Sequence, residues 1–122
     1  MERIEEFTQD GKNFMFIDLS NLMSNQDFID LIDIIKPRIA KYPENSLYTI
    51  TCIDNVFFNA ESKGIAAEYM KHNKPYVKYG AVLGIEGLKK VVVNTIFGLS
   101  GRSNMHSVST REQAVEWLLQ QD

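Results

Sequence analysis

The stretch NKPYVKYGAVLGIEGLKKVVVNTIFGLSGR, residues 73–102, decides how the rest of the chain is read. Pro75 ends any helix that precedes it, because it lacks an N–H and restricts the residue before it. Tyr76 to Leu83 then reads as a buried strand, interrupted by Gly80 and Gly84. From Gly87 the apolar period changes, and Leu88, Val91, Val92, Thr95, Ile96 and Leu99 recur at helical spacing. One strand feeding one amphipathic helix through a glycine corner is the core unit of an α/β domain. The stretch specifies an architecture and leaves a reaction open.

Toward the amino end, Asn59 or Ala60 opens a helix carrying Ile65, Ala66, Tyr69 and Met70, which His72 to Pro75 terminates. Leu47 to Ile53 is a β-branched strand, preceded by a turn over residues 42–45. Ser24 caps an earlier helix, with Asp27 placed to close a capping box. Phe28, Leu31, Ile32, Ile35 and Ile39 form its apolar stripe, and Asp27, Asp30 and Asp33 its wet side. Pro37 is expected to kink that helix or end its regular part. Asn13 to Leu19 is almost continuously apolar, as in a strand covered on both faces. Residues 4–8 are a candidate edge strand, with Asp10 and Gly11 as a two-residue hairpin turn between the two.

Toward the carboxyl end, Gly98 and Gly101 loosen the third helix, and Met105 to Val108 is a short strand. Ser109 or Thr110 caps a last helix, with Glu112 or Gln113 completing the box. Ala114, Val115, Trp117, Leu118 and Leu119 pack it down. The alternation is βαβαβαβα, without repeats or a linker, and the expectation is one α/β domain over 1–122 with about four helices.

Bulk properties agree with a soluble globular class. The 122 residues are long enough to bury one core, and 44% hydrophobic with 24% charged is ordinary. A single cysteine excludes an internal disulfide, and Cys52, among apolar and β-branched residues, reads as a core thiol. The first residues lack a basic start followed by an apolar run, so no secretory signal is expected and the cytoplasm is the default location. No apolar run approaches the ~20 residues of a spanning helix. Residues 1–58 carry ten acids and five bases, and residues 59–122 six acids and eight bases. Such a balance is poor for nucleic-acid binding.

Residues 73–78, 80–84, 87–90 and 100–102, with the closing Thr110 to Leu118, resemble short bacterial proteins of the STAS type. These are related in fold to the anti-sigma factor antagonists and, more distantly, to the CRAL-TRIO lipid-carrying domains. The resemblance covers roughly residues 12–120. It implies a four- or five-stranded mixed sheet with helices mainly on one side and no settled activity, although better-known STAS domains are regulatory modules. It also implies a test at one serine. The antagonists carry an Asp-Ser-Ser-Gly motif whose second serine is phosphorylated. Aligning Val56, Phe57 and Phe58 without gaps puts Ala60, Glu61, Ser62 and Lys63 on that motif, so only Ser62 survives. Phosphate in a first helical turn is stabilised by free backbone N–H groups, whereas an unmodified serine there simply assists the helix start.

Other chemistry is sparse. Asp18 and Asp54 end predicted strands, where α/β domains tend to place ligands. Facing one another they would bind a cation or share a proton; standing apart they would satisfy loop N–H groups. Asp18 is followed by Leu19 and Ser20 rather than by a second acid, and the residues after it do not complete a metal motif. Gly84 and Gly87 ahead of Lys89 and Lys90 make a weak anion corner whose spacing fits neither phosphate-loop pattern. Tight strand-to-helix packing explains the same glycines. Lys74, Lys78 and Arg102 extend that basic patch or are simply solvated. His72 and His106 have no companion at ligand spacing, so neither a metal nor a cofactor is expected.

The reading is a non-catalytic regulatory or protein-interaction module. Its candidate surface is the rim of Asp18, Ser20, Asp54, Asn55 and Ser62. The alternative is a carrier or sensor with an apolar small molecule in an internal pocket, favoured by Phe57 and Phe58. Partners are thus a protein or an apolar small molecule, with homodimerisation compatible with either.

Overall fold

Asp10 and Gly11 both lie at positive φ, 52° and 77°. This is the hairpin geometry whose twist matches the flanking strands, and it joins β1 (Ile4–Gln9) to β2 (Lys12–Asp18). The computed structural model describes residues 3–56, 59–85 and 88–121, with Leu88 and Lys89 by backbone alone. From β2 onward helices alternate with strands: α1 (Asn25–Ala40), β3 (Leu47–Cys52), α2 (Ala60–Asn73), β4 (Val77–Leu83), α3 (Leu88–Ser100), β5 (Met105–Val108) and α4 (Arg111–Leu119). The edge hairpin thus precedes the expected alternation. The sheet is mixed and five-stranded in the order β1-β2-β3-β4-β5, with β1 antiparallel and the other neighbours parallel.

Each new strand is added on the same side of the last. Crossovers between parallel strands are right-handed in nearly all proteins, so this order puts every crossover helix on one face. Met15, Ile17, Val77 and Val82 accordingly share a core with Phe28, Ile32, Ile35 and Ile39 of α1, Ala66 and Tyr69 of α2, and Val93 and Ile96 of α3. The alternate residues Phe14, Tyr48, Ile50, Ala81 and Leu83 point to the other face, where Ala114 and Leu118 of α4 cover them. The helices are split three to one.

α4 is fastened at both ends to the hairpin. Lys12 Nζ donates to the carbonyl of Leu119 at 3.0 Å and to that of Gln121, satisfying groups the helix end leaves bare. Arg111 pairs with Glu5 at 2.8 Å, and its guanidinium lies 4.3 Å from the centre of the Phe16 ring. At the start of α4 the Thr110 hydroxyl accepts the N–H of Gln113.

α1 keeps the expected apolar stripe through Ile39, whereas α3 differs from its sequence reading. α1 continues through Pro37 to Ala40. Pro37 and Asp33, whose carbonyl loses its partner, are both exposed, so water can take the place of the missing bond. In α3 the period holds but the phase is rotated. Val93 and Ile96 are buried, while Val91 is 65% and Leu99 58% exposed. Three consecutive valines let several stripes satisfy the same pattern, and packing against the sheet selects one. Cys52 is half-buried rather than enclosed.

Glu6 ties the hairpin to the end of α1. It accepts from the Tyr42 hydroxyl and pairs with Arg38 at 3.0 Å and Lys41 at 3.1 Å. The Tyr42 hydrogen bond, with the two cations behind it, holds the Glu6 carboxyl below its ordinary value, although partial burial opposes this. Burial and the same hydrogen bond push the Tyr42 phenol up to about 12. Because the folded pKa of Glu6 is lowered, its stabilisation is complete above the unfolded value and is lost as pH falls through the folded one. Melting curves of Glu6→Gln and the parent should therefore converge as pH falls below the ordinary glutamate value of 4.5, with the parent the more stable at neutral pH. A constant offset across the whole range would show that the ionised carboxylate contributes nothing.

Candidate functional site

At the carboxyl-end rim the two acids have different neighbours. Asp18 Oδ1 accepts the backbone N–H of Ser20 at 2.9 Å and the Ser20 hydroxyl, which closes a tight turn after β2. Asp54 is exposed and borders a shallow groove with Gly84, Ser107, Thr110 and Arg111. Between them Asn21 and Asn55, both left-handed at φ 63° and 54°, are joined by a 2.8 Å side-chain hydrogen bond. Asparagine tolerates this conformation, so the two loops are locked side by side. Among the described residues no three metal-ligating side chains come together.

Ser62 is 2% exposed. Its hydroxyl accepts the N–H of Asn59 at 2.7 Å, while the Asn59 side chain accepts the N–H of Ser62 at 2.8 Å. This is a reciprocal capping box, and a phosphate would have to displace it. Gly84, at φ 89°, lies so close to Asp54 that an added Cβ would meet the Asp54 nitrogen at 2.8 Å, which is the packing explanation of that glycine. Lys90 is exposed. Phe57, Phe58 and Gly87, and the side chain of Lys89, lie outside the described residues.

A different feature runs beneath the helices along the sheet, from Leu19 and Ile53 to Val77 and Met105. A cavity of about 70 Å³ lies between the sheet and α2 and α3, and every residue lining it is buried or half-buried. Thr49, Val82, Ala66, Val93, Ile96 and Phe97 form much of its wall. Its strongest polar groups, Tyr69 and Arg102, come from the last turn of α2 and the link from α3 to β5. They therefore sit near the amino-terminal ends of β4 and β5, away from the rim.

The sequence Ser100-Gly101-Arg102 places that arginine. Gly101 is left-handed at φ 71°, its N–H bonds to Gly98 at 3.3 Å, and the N–H of Arg102 bonds to Phe97 at 3.1 Å. This glycine stop ends α3 sharply and turns the next side chain inward. Arg102 Nε donates to Asn104 at 3.0 Å, and the Asn104 amide donates to the carbonyls of Val77 at 3.1 Å and Lys78 at 2.8 Å. Arg102 Nη1 donates to the Met70 carbonyl at 3.3 Å, and Nη2 reaches the Met105 sulfur at 3.0 Å.

The electrostatics are unbalanced. Arg102 is 7% exposed, and among the described residues no carboxylate pairs with it. Burial lowers its guanidinium to about 10, with the Tyr69 phenol opposing, so it stays charged at neutral pH. Tyr69 is 6% exposed, and burial pushes its phenol above the ordinary value. The Asn73 side chain lowers it through a weak hydrogen bond, as does the Arg102 charge, although the oxygen meets strict hydrogen-bond distance and angle with no described residue. A buried hydroxyl gains from an acceptor, and a buried cation from a negative charge nearby.

Sequence reading placed Tyr69 in an apolar stripe and Arg102 in a solvated patch. The available signal was the glycine before Arg102, which re-aims a side chain otherwise expected in water. Tyr69→Phe removes the orphaned hydroxyl and should stabilise the protein by about 1–2 kcal/mol in urea unfolding. A loss of similar size would mean that the hydroxyl is satisfied. Ser62→Ala opens the capping box and should cost about 1 kcal/mol in the same measurement, whereas an unchanged midpoint would leave that box without energetic weight. Comparison with family models, curated proteins and solved structures yields no match to this chain.

Proposed function

We propose that this domain is a non-catalytic regulatory module whose input is a small molecule held between the sheet and α2 and α3. The observation that carries the reading is the meeting of the buried Tyr69 hydroxyl and the buried Arg102 guanidinium in the wall of an otherwise apolar cavity. An apolar void stays dry and needs no polar group, whereas polar groups in a cavity wall bond to what fills it, water or a ligand. The polar lining consists of Thr49, Thr51, Asn73, Tyr69 and Arg102. These groups bind and orient, and none exchanges a proton readily near neutral pH.

α3 is the natural output. Val93, Ile96 and Phe97 face the cavity, and Val91 and Leu99 expose apolar surface on the outside of the same helix. A ligand that tightens the inner packing of α3 changes how firmly its outer face is held for a protein partner, whether another protein or a second copy. At about 70 Å³ the cavity is far below the roughly 300–1,000 Å³ that encloses a drug-sized ligand, which favours a small effector over a bulky lipid. Among the described residues no helix is long and apolar enough to cross a membrane.

Native mass spectrometry of the chain purified gently from its own host tests the reading. The expected result is a non-covalent adduct that disappears on denaturation and is absent from Ala66→Leu, which fills the cavity. Its removal should also speed hydrogen exchange in α3. A bare chain, or an adduct unaffected by Ala66→Leu, would refute an internal effector site.

A further inference from the structure

Resting on that ligand-binding reading, we infer that the cavity takes a short-chain carboxylate, with its carboxylate on the Tyr69 hydroxyl and the Arg102 guanidinium. Its alkyl end lies against Val82, Val93 and Ile96.

Both polar groups are donors. The phenol keeps its proton, because burial disfavours the phenolate. A guanidinium carries five N–H groups. Arg102 directs Nε to Asn104, one Nη1 hydrogen to Met70 and one Nη2 hydrogen to a weakly accepting sulfur, which leaves two without a partner among the described residues. Anchoring the end of α2 accounts for the Met70 bond and for nothing else in this list. What completes the site is an acceptor, and the unpaired positive charge makes it an anion.

Charge and size narrow the class. A single guanidinium balances one negative charge in a buried site, which suits a carboxylate better than a doubly charged phosphate. A cavity of about 70 Å³ is small, which favours a chain of a few carbons over a long one. The rest of the wall is apolar and rewards a short alkyl group.

The test is calorimetric titration and thermal melting of the full chain with acetate, butyrate, octanoate, butan-1-ol and inorganic phosphate at fixed ionic strength. Butyrate should bind and raise the melting temperature, with butan-1-ol at least about tenfold weaker, since it leaves the charge unbalanced. Tyr69→Phe should weaken butyrate about tenfold through one lost hydrogen bond, and Arg102→Gln about a hundredfold or more. If Arg102→Gln fails to fold, Tyr69→Phe still decides, because it keeps the packing.

Equal affinity for butan-1-ol would overturn the carboxylate and leave the ligand-binding reading standing. Binding of none of the probes would remove both. Phosphate matching butyrate would point to a bare anion site, and octanoate tenfold tighter than butyrate to a lipid-like cargo; either result overturns the class named here. Butyrate affinity undiminished in both variants would place the acid elsewhere on the protein.

Discussion

The handedness of β-α-β connections is the constraint on which this structure depends. With strands added in the order β2, β3, β4 and β5, each right-handed crossover delivers its helix to the same face. Three helices then cover one side of the sheet and none of them can reach the other. Phe14, Tyr48 and Ile50 would face water if the chain stopped at β5. α4 resolves this by turning back under the sheet, and the antiparallel hairpin supplies the groups that hold it there. Lys12 neutralises one end of α4, and Arg111 ties down the other on Glu5 and Phe16. The amino-terminal edge and the carboxyl-terminal helix are therefore one mechanical unit.

Sidedness also explains where the cavity lies. On the crowded face α2 packs between α1 and α3, and Gly80 brings β4 close against Thr49 and Met105. Small residues on α2, Ala66 and Ala67, let the helices approach but do not fill the space behind them. The chain then puts an arginine and a tyrosine where a leucine and a phenylalanine would complete an ordinary core. A low-dielectric interior penalises an unpaired charge and an unmade hydrogen bond. In the function proposed above, a ligand that supplies the acceptor offsets both.

Much of the frame was legible in the residues themselves. The switch from strand to helix period across residues 76–99, the Asp10-Gly11 turn and the caps at Ser24, Asn59 and Thr110 are local signals, and local geometry answers them. Val91 and Leu99 were misplaced because an uninterrupted valine run has no unique apolar face. Pro37 is compatible with a kink or an end, because its cost depends on whether the orphaned carbonyl meets water, which sequence does not display. Position at strand ends leaves a shared site and separate loop bonding both open for Asp18 and Asp54, and Asp18 spends its carboxylate on its own turn. Arg102 was read as solvated because exposure is the prior for arginine, and only the three-dimensional stop at Gly101 turns it inward.

The sequence by itself determined the succession of strands and helices, their caps and turns, and the α/β class, because those follow from periodicity and from backbone preferences within a few residues. Only the tertiary structure decided the strand order, the face each helix takes, the phase of α3 and the meeting of Tyr69 with Arg102. Those depend on contacts between residues far apart in the chain, where one apolar pattern is compatible with several packings and burial in a shared core selects among them.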